Sequence, residues 1–150
     1  MGDGVMNLGS MTLADLQANP LAAIRLCMEK EPLLYWGGVA DAFYLKQYGR
    51  DALVINRQEL EGPKGVAQVL RAAEFLAVAP RRVTLNTQRS AYGWKHVAEK
   101  WHKIASPGED YYIGEGSFVL ACWAMGVLVK RHHTRGYQVG LAEAARKLVA

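Results

Sequence analysis

The run from Glu115 to Met125 constrains the fold more than any other part of the chain. Wound as a helix, it places Phe118, Val119, Leu120, Cys122, Trp123 and Met125 round almost the whole circumference, leaving no polar face to turn to water. A helix of this kind belongs at the centre of a domain, with other elements packed about it. The apolar stretch Phe118 to Val129 is interrupted by Gly126 and stays well short of the ~20 residues that cross a bilayer. It reads as core.

With 150 residues, 51% of them hydrophobic, the chain can bury roughly two thirds of its unfolded surface, so it needs no metal or disulfide to hold a core. The expected architecture is mainly α: a single compact multi-helix domain over residues 11–150, a flexible tail over 1–10, and room for a small β-hairpin near the C-terminus. Thr12 and Asp15 form a box-like start for a short helix, and Asn19-Pro20 opens a second that Pro32 stops. Leu33 to Trp36 is too short for periodicity to separate helix from strand. Val39 to Tyr48 reads as a helix with Val39 and Phe43 inward and Gly49 as its stop, and Ala52 to Asn56 as a candidate short strand. Pro63 opens the clearest helix, with Val66, Val69, Leu70, Ala73, Leu76 and Ala77 in one stripe, and Pro80 ends it. Ser90 caps a helix from Ala91 to Ile104 that turns Trp94, Val97, Ala98, Trp101 and Ile104 to the core. Gly126 suits a C-terminal stop, the apolar runs 127–129 and 137–139 flank a basic turn as hairpin arms, and Leu141 to Val149 closes the chain as a short helix.

Cys27 and Cys122 sit in apolar helical patterns as reduced, buried small hydrophobes. Neither has the spacing of a zinc site, and adjacent His132 and His133 lack a third ligand, so no metal and no cofactor are expected. The first ten residues carry no basic and apolar export signal, which predicts a cytoplasmic protein.

Charge is divided along the chain. Residues 1–62 hold 5 Lys/Arg against 8 Asp/Glu, and residues 63–150 hold 13 against 6. A basic C-terminal half is the footprint of a surface that meets an anion such as nucleic acid, and equally of a solvated face. Two clusters carry the excess. The polar run from Arg81 to Lys95 combines Arg81, Arg82, Arg89 and Lys95 with hydroxyls, amides and a helix start, groups suited to phosphate oxygens. The turn Lys130-Arg131-His132-His133-Thr134-Arg135-Gly136 resembles the wing that some DNA-binding domains lay along a backbone. Either cluster also has a bland explanation, as capping loop or charged hairpin tip. A helix-turn-helix is excluded by a connection of about eleven residues between 91–104 and 116–125, against the 3–4 of that motif, and by an apolar second helix with nothing to read base edges.

Enzyme chemistry has little support. His96, Glu99 and His102 share one side of a helix at proton-exchange spacing, but among Lys95, Lys100 and Lys103 they read as a solvated face. No zincin, P-loop or nucleophile-elbow motif is present, so neither catalytic nor metal-binding residues are expected. The segments SAYGWKHVAEKW and YYIGEGSFVLACWAMG, within residues 83–128, are similar to uncharacterised small proteins of bacterial plasmids and phages. That resemblance implies a mobile genetic element setting and no activity.

The sequence thus predicts a small nucleic-acid-associated protein, DNA-binding or otherwise, that touches phosphates through Arg81, Arg82, Arg89, Lys95, Lys130, Arg131 and Arg135, with no membrane partner. The alternative is a protein-interaction module, an adaptor, inhibitor or subunit of a nucleoprotein assembly, anchored by Tyr35, Trp36, Tyr44, Tyr48, Tyr111 or Tyr112.

Overall fold

The computed structural model describes residues 8–132 and 136–150, and the fold is mainly α. Helix α6 (Glu115–Met125) is the hub its composition demands, with Gly116 to Cys122, Ala124 and Met125 all buried. Its principal neighbour is α4 (Pro63–Val78); α2 (Pro20–Lys30), α5 (Ala91–Ala105) and two small hairpins cover the remainder. Among the described residues no helix is long and apolar enough to cross a membrane.

Local chemistry sets the helix starts. Thr12 Oγ1 accepts from the Asp15 N–H at 3.1 Å and the Asp15 carboxylate accepts from the Thr12 N–H at 2.9 Å, a reciprocal capping box. It opens the short α1 (Leu13–Ala18). Asn19 caps α2 through the Ala22 N–H, with Pro20 in the first turn, and Ser90 caps α5 through the Gly93 N–H.

The undecided run at Leu33 is a strand: β1 (Leu34–Tyr35) pairs antiparallel with β2 (Gly38–Val39). Two expectations fall with it. Val39 belongs to the hairpin, so α3 (Ala42–Leu60) starts three residues later, where Asp41 Oδ1 accepts from the Tyr44 N–H at 2.8 Å. Tyr44 then faces inward and Phe43, expected inside, is 72% exposed. The candidate strand 52–56 is helical. Gly49, at φ +84°, interrupts α3 as the sequence indicates, but the helix resumes beyond it because Leu53, Arg57 and Leu60 recur on one face. Leu53 and Leu60 are buried, and the Arg57 guanidinium donates to the carbonyls of Met28, Glu31 and Leu34 at 3.1, 3.0 and 2.6 Å. Those tertiary bonds outweigh the β-propensity of Val54 and Ile55.

The tail expected over 1–10 is already anchored from Leu8: the N–H groups of Gly9 and Met11 both donate to the Ala124 carbonyl at 3.1 and 3.0 Å, and Leu8 packs on the core. Gly126 ends α6 in the left-handed region, φ +78°, where a side chain would strike the Gly9 carbonyl. Beyond it, β3 (Val129–His132) pairs antiparallel with β4 (Gly136–Val139) as expected, and Gln138 bridges in turn to Ser90 at the start of α5. A 3₁₀ helix (Glu143–Val149) closes the described chain against α5. Both cysteines are free and buried; the surrounding apolar core pushes the Cys27 thiol up to about 12 and the Cys122 thiol upward too.

Helix α5 turns to the core a side rotated by about a quarter turn from the expected one, with Trp94 and Ala98 common to both. Its buried stripe is Ala91, Trp94, Lys95, Ala98, Glu99 and His102. Val97 and Trp101 are half-buried, and Ile104, expected inside, is 56% exposed.

Candidate nucleic-acid interface

Of the seven cations singled out in the sequence, the six that are described do not share one exposed surface, because Lys95 is buried. Arg81 spends one end of its guanidinium on the Met125 carbonyl at 2.8 Å, closing the C-terminus of α6. Arg82 is exposed and folds back on Thr84 Oγ1 at 3.0 and 3.2 Å. Lys130 and Arg131 are exposed on β3, and Arg135, like His133, lies outside the described residues. Arg89 is half-buried, its guanidinium 5.4 Å from the centre of the Trp94 ring. Lys95 is only 5% exposed and cannot reach a phosphate on the surface. Its side chain turns inward because Glu99, one helical turn on, lies on the same buried stripe and binds it at 3.2 Å.

Five basic side chains, Arg89 among them, line two adjoining clefts along the outer side of α5 and the closing 3₁₀ helix. A cleft of about 550 Å³ between them is lined by Arg89, His96, Lys100, Arg146 and Lys147, with Glu143 the one acidic side chain. That carboxylate is occupied by Arg146 at 3.7 Å and by the Asn86 amide at 3.0 Å. A second cleft, about 540 Å³, shares His96 and Lys100 and continues to Lys103 and Tyr111. His96, Lys100 and Lys103 stand at i, i+4 and i+7, so the spacing that assigned them to a solvated face also aligns them for a ligand. Exposed Tyr92 flanks the band, and Lys103 Nζ stands 5.6 Å from the Tyr111 ring centre. Nothing in the primary sequence signals that Arg146 and Lys147 face α5, because the contact is tertiary.

Glu99 and His102 contradict the solvated-face reading outright: both are buried. Glu99 Oε2 accepts from Lys95 Nζ and, at 3.0 Å, from the Ile113 N–H, while Oε1 meets His96 Nδ1 at 2.8 Å. His102 Nε2 lies 2.8 Å from the Arg71 carbonyl of α4. These bonds tie α5 to α4 and to the aromatic connector before α6, and Lys95 Nζ stands 4.7 Å from the Tyr112 ring centre. Among the described residues no group of three or more His, Cys, Asp or Glu side chains could hold a metal ion.

Glu115, at the N-terminus of α6, is a further titratable group beside Lys95. Burial raises its pKa above the usual carboxylate value, and the Lys95 charge pulls the other way without cancelling the rise. From the ordinary carboxylate range up to the raised value, the folded chain therefore holds a proton that the unfolded chain has released. Its contribution is fully present below that window and declines as pH climbs through it. Glu115→Gln is expected to flatten this decline in urea unfolding measured at a series of pH values; an unchanged profile would mean that Glu115 is solvated.

Comparison with protein-family models, with curated proteins and with solved structures finds no match for this chain.

Proposed function

We propose that this protein is a small nucleic-acid-associated protein that contacts phosphates through the α5 and 3₁₀-helix face of its basic C-terminal half. The observation that carries the reading is the run of Arg89, Lys100, Lys103, Arg146 and Lys147 along two adjoining clefts whose acidic side chains, Glu143 and Glu99, are already paired. Exposed tyrosines beside cations suit unpaired bases, which stack on aromatic rings while the backbone follows the positive charge, so a single strand is favoured over a duplex. Sequence specificity is not implied.

Phosphate neutralisation releases counterions, so log K should fall linearly with log salt, by about 0.7 per contact on a single strand and about 0.9 on B-DNA. Replacing Lys100, Lys103, Arg146 and Lys147 by alanine is expected to flatten that slope by about three units and to leave unfolding stability nearly unchanged, since exposed charges contribute little. The matched variant of Arg82, Lys130 and Arg131 is expected to change it less. No binding at about 50 mM salt, or an unchanged slope in the fourfold variant, overturns the assignment. The protein-interaction reading then takes over, supported by α3, which leaves Phe43, Tyr48, Val54 and Ile55 more than half exposed.

A further inference from the structure

A different cleft, of about 550 Å³, opens between Trp36 of the first hairpin turn, the first turn of α4 and the connector at Asp110 and Tyr112. That volume falls within the roughly 300–1,000 Å³ of small-molecule sites. We propose that this cleft binds one nucleotide unit, with the base against Trp36 and Tyr112 and the phosphate at the first turn of α4. The proposal deepens the reading above and rests on it for one of the two sources of that unit, a single strand; the other source is a free nucleotide.

Three independent features point to such a ligand. The Trp36 and Tyr112 rings meet edge to face, 6.5 Å between centres and 64° between planes, forming a corner in which a planar ring stacks on one wall and abuts the other. Gln68, 9% exposed, lies at the floor. Its Oε1 accepts from the Gly114 N–H at 2.8 Å and from Ser117 Oγ at 3.0 Å. A backbone N–H needs an acceptor, so the oxygen is assigned and the amide NH₂ is the end left over, with no protein acceptor among the described residues. A ring nitrogen or carbonyl of a base supplies an acceptor for this donor within the cleft. At the other end of the cleft, α4 begins with Gly62, which offers no side-chain cap, and Pro63, which has no N–H, and its first turn holds no acidic residue. The Lys64 and Gly65 amides, with the Lys64 ammonium beside them, suit a phosphate.

The two carboxylates of the cleft do not oppose this. Asp110 is paired with Arg71 at 3.6 Å, and Glu59, exposed at the cleft, would face the sugar hydroxyls of the bound unit and accept from them. The walls are held in advance: Trp36 Nε1 donates to Asn56 Oδ1 at 3.4 Å, Asn56 Nδ2 donates to the Tyr44 hydroxyl at 2.8 Å, and the Tyr112 carbonyl accepts from Arg71 Nη1 at 2.8 Å. Preorganisation of this kind lowers the cost of binding. The connector also joins this cleft to the basic face, since Tyr112 lines one and its neighbour Tyr111 lines the other.

The test titrates the protein with the four common nucleoside monophosphates, inorganic phosphate, a mixed-sequence oligonucleotide of about twelve units and an abasic phosphodiester of equal length. The titrations are repeated on Tyr112→Leu, Lys64→Glu and the control Lys100→Glu/Lys103→Glu, each shown to be folded by circular dichroism. Saturable binding of monophosphates, weakened about tenfold by Tyr112→Leu and by Lys64→Glu but not by the control, supports the proposal. If only the oligonucleotide binds, a similar loss in its abasic counterpart and in Tyr112→Leu supports it with the strand as source. Equal binding of the oligonucleotide and the abasic chain, without monophosphate binding, overturns the cleft and leaves the basic face standing. Monophosphate binding without oligonucleotide binding supports the cleft and overturns the face. Inorganic phosphate competing as well as the nucleotides, or no binding by any probe, overturns the cleft.

Discussion

Replacing Glu99 by alanine is expected to destabilise the protein by about 3–5 kcal/mol, the cost of removing one partner from a buried ion pair. The side chains of Glu99 and Lys95 are 10% and 7% exposed, so the Lys95 ammonium has no water to turn to once the carboxylate is gone. The same substitution orphans the Ile113 N–H, another buried donor. Two further variants separate these terms. Glu99→Gln keeps an acceptor for Lys95 and Ile113 and offers its NH₂ to His96 Nδ1, so it is expected to recover part of the loss. Glu99→Ala combined with Lys95→Met removes the stranded charge and is expected to be more stable than Glu99→Ala alone. Urea unfolding of the parent protein, Glu99→Ala, Lys95→Met and the double variant yields the coupling energy as a double-mutant cycle. A loss below about 1 kcal/mol in Glu99→Ala would mean that the pair behaves as an exposed one.

This cluster also marks the limit of reading the sequence by hydrophobicity. The central position of α6 was legible because apolar residues run round nearly the whole helix, and the stripe on α4 was legible in part: Val69, Ala73 and Leu76 are buried, but Ala77 is exposed and Gln68, Ala72 and Phe75 complete the buried face, so apolar residues still mark most of the core-facing side there. On α5 they do not. The apolar set Trp94, Val97, Ala98, Trp101 and Ile104 is itself helical in period, yet the buried stripe is displaced and includes Lys95, Glu99 and His102. Each of the three is buried only because a partner receives it: Glu99 for Lys95, the Ile113 N–H for Glu99, the Arg71 carbonyl for His102. Two of those partners are backbone groups from other elements, which no periodicity encodes. Likewise 52–56 has strand composition, and only the Arg57 bonds to three carbonyls, far away in sequence, reveal why it is helical.

For the proposed interface, the split in charge between the halves pointed to the C-terminal half, which holds every cation lining the two clefts, but cation density along the chain does not show which side chains share a surface. Density of cations along the chain favoured Arg81, Arg82 and the 130–135 turn. Folding instead consumes Arg81 at a helix end and Lys95 in the core, and assembles a basic face from residues some fifty positions apart, Lys100 with Arg146 and Lys147. Of the described residues first singled out, Arg89 alone lines those clefts, and the Trp94 ring lies beneath its guanidinium.

Trp94→Ala is expected to cost about 3–5 kcal/mol, the range for truncating a large aromatic side chain that the core cannot refill. Trp94 is fully buried and is the largest side chain in the core. Its indole Nε1 nevertheless has no hydrogen-bond partner among the described residues, so part of its burial energy is already offset by an unpaired donor. Trp94→Phe removes that donor with the smaller loss of volume, and its net cost is expected to stay within about 1 kcal/mol. The two variants also differ in what they leave for Arg89, whose stem lies across Gly93 and whose guanidinium rests over the indole. Phenylalanine keeps an aromatic floor under that charge, whereas alanine removes it and releases the guanidinium from the edge of the cleft. In conditions where both variants remain folded, Trp94→Ala should therefore reduce the salt slope of nucleic-acid binding by about 0.7 to 0.9, the share of one phosphate contact, and Trp94→Phe should not. Urea unfolding followed by far-ultraviolet circular dichroism, with salt titrations on the same samples, checks both expectations. A stability loss below about 1 kcal/mol in Trp94→Ala would remove this residue from the core, and an unaltered slope would remove Arg89 from the interface.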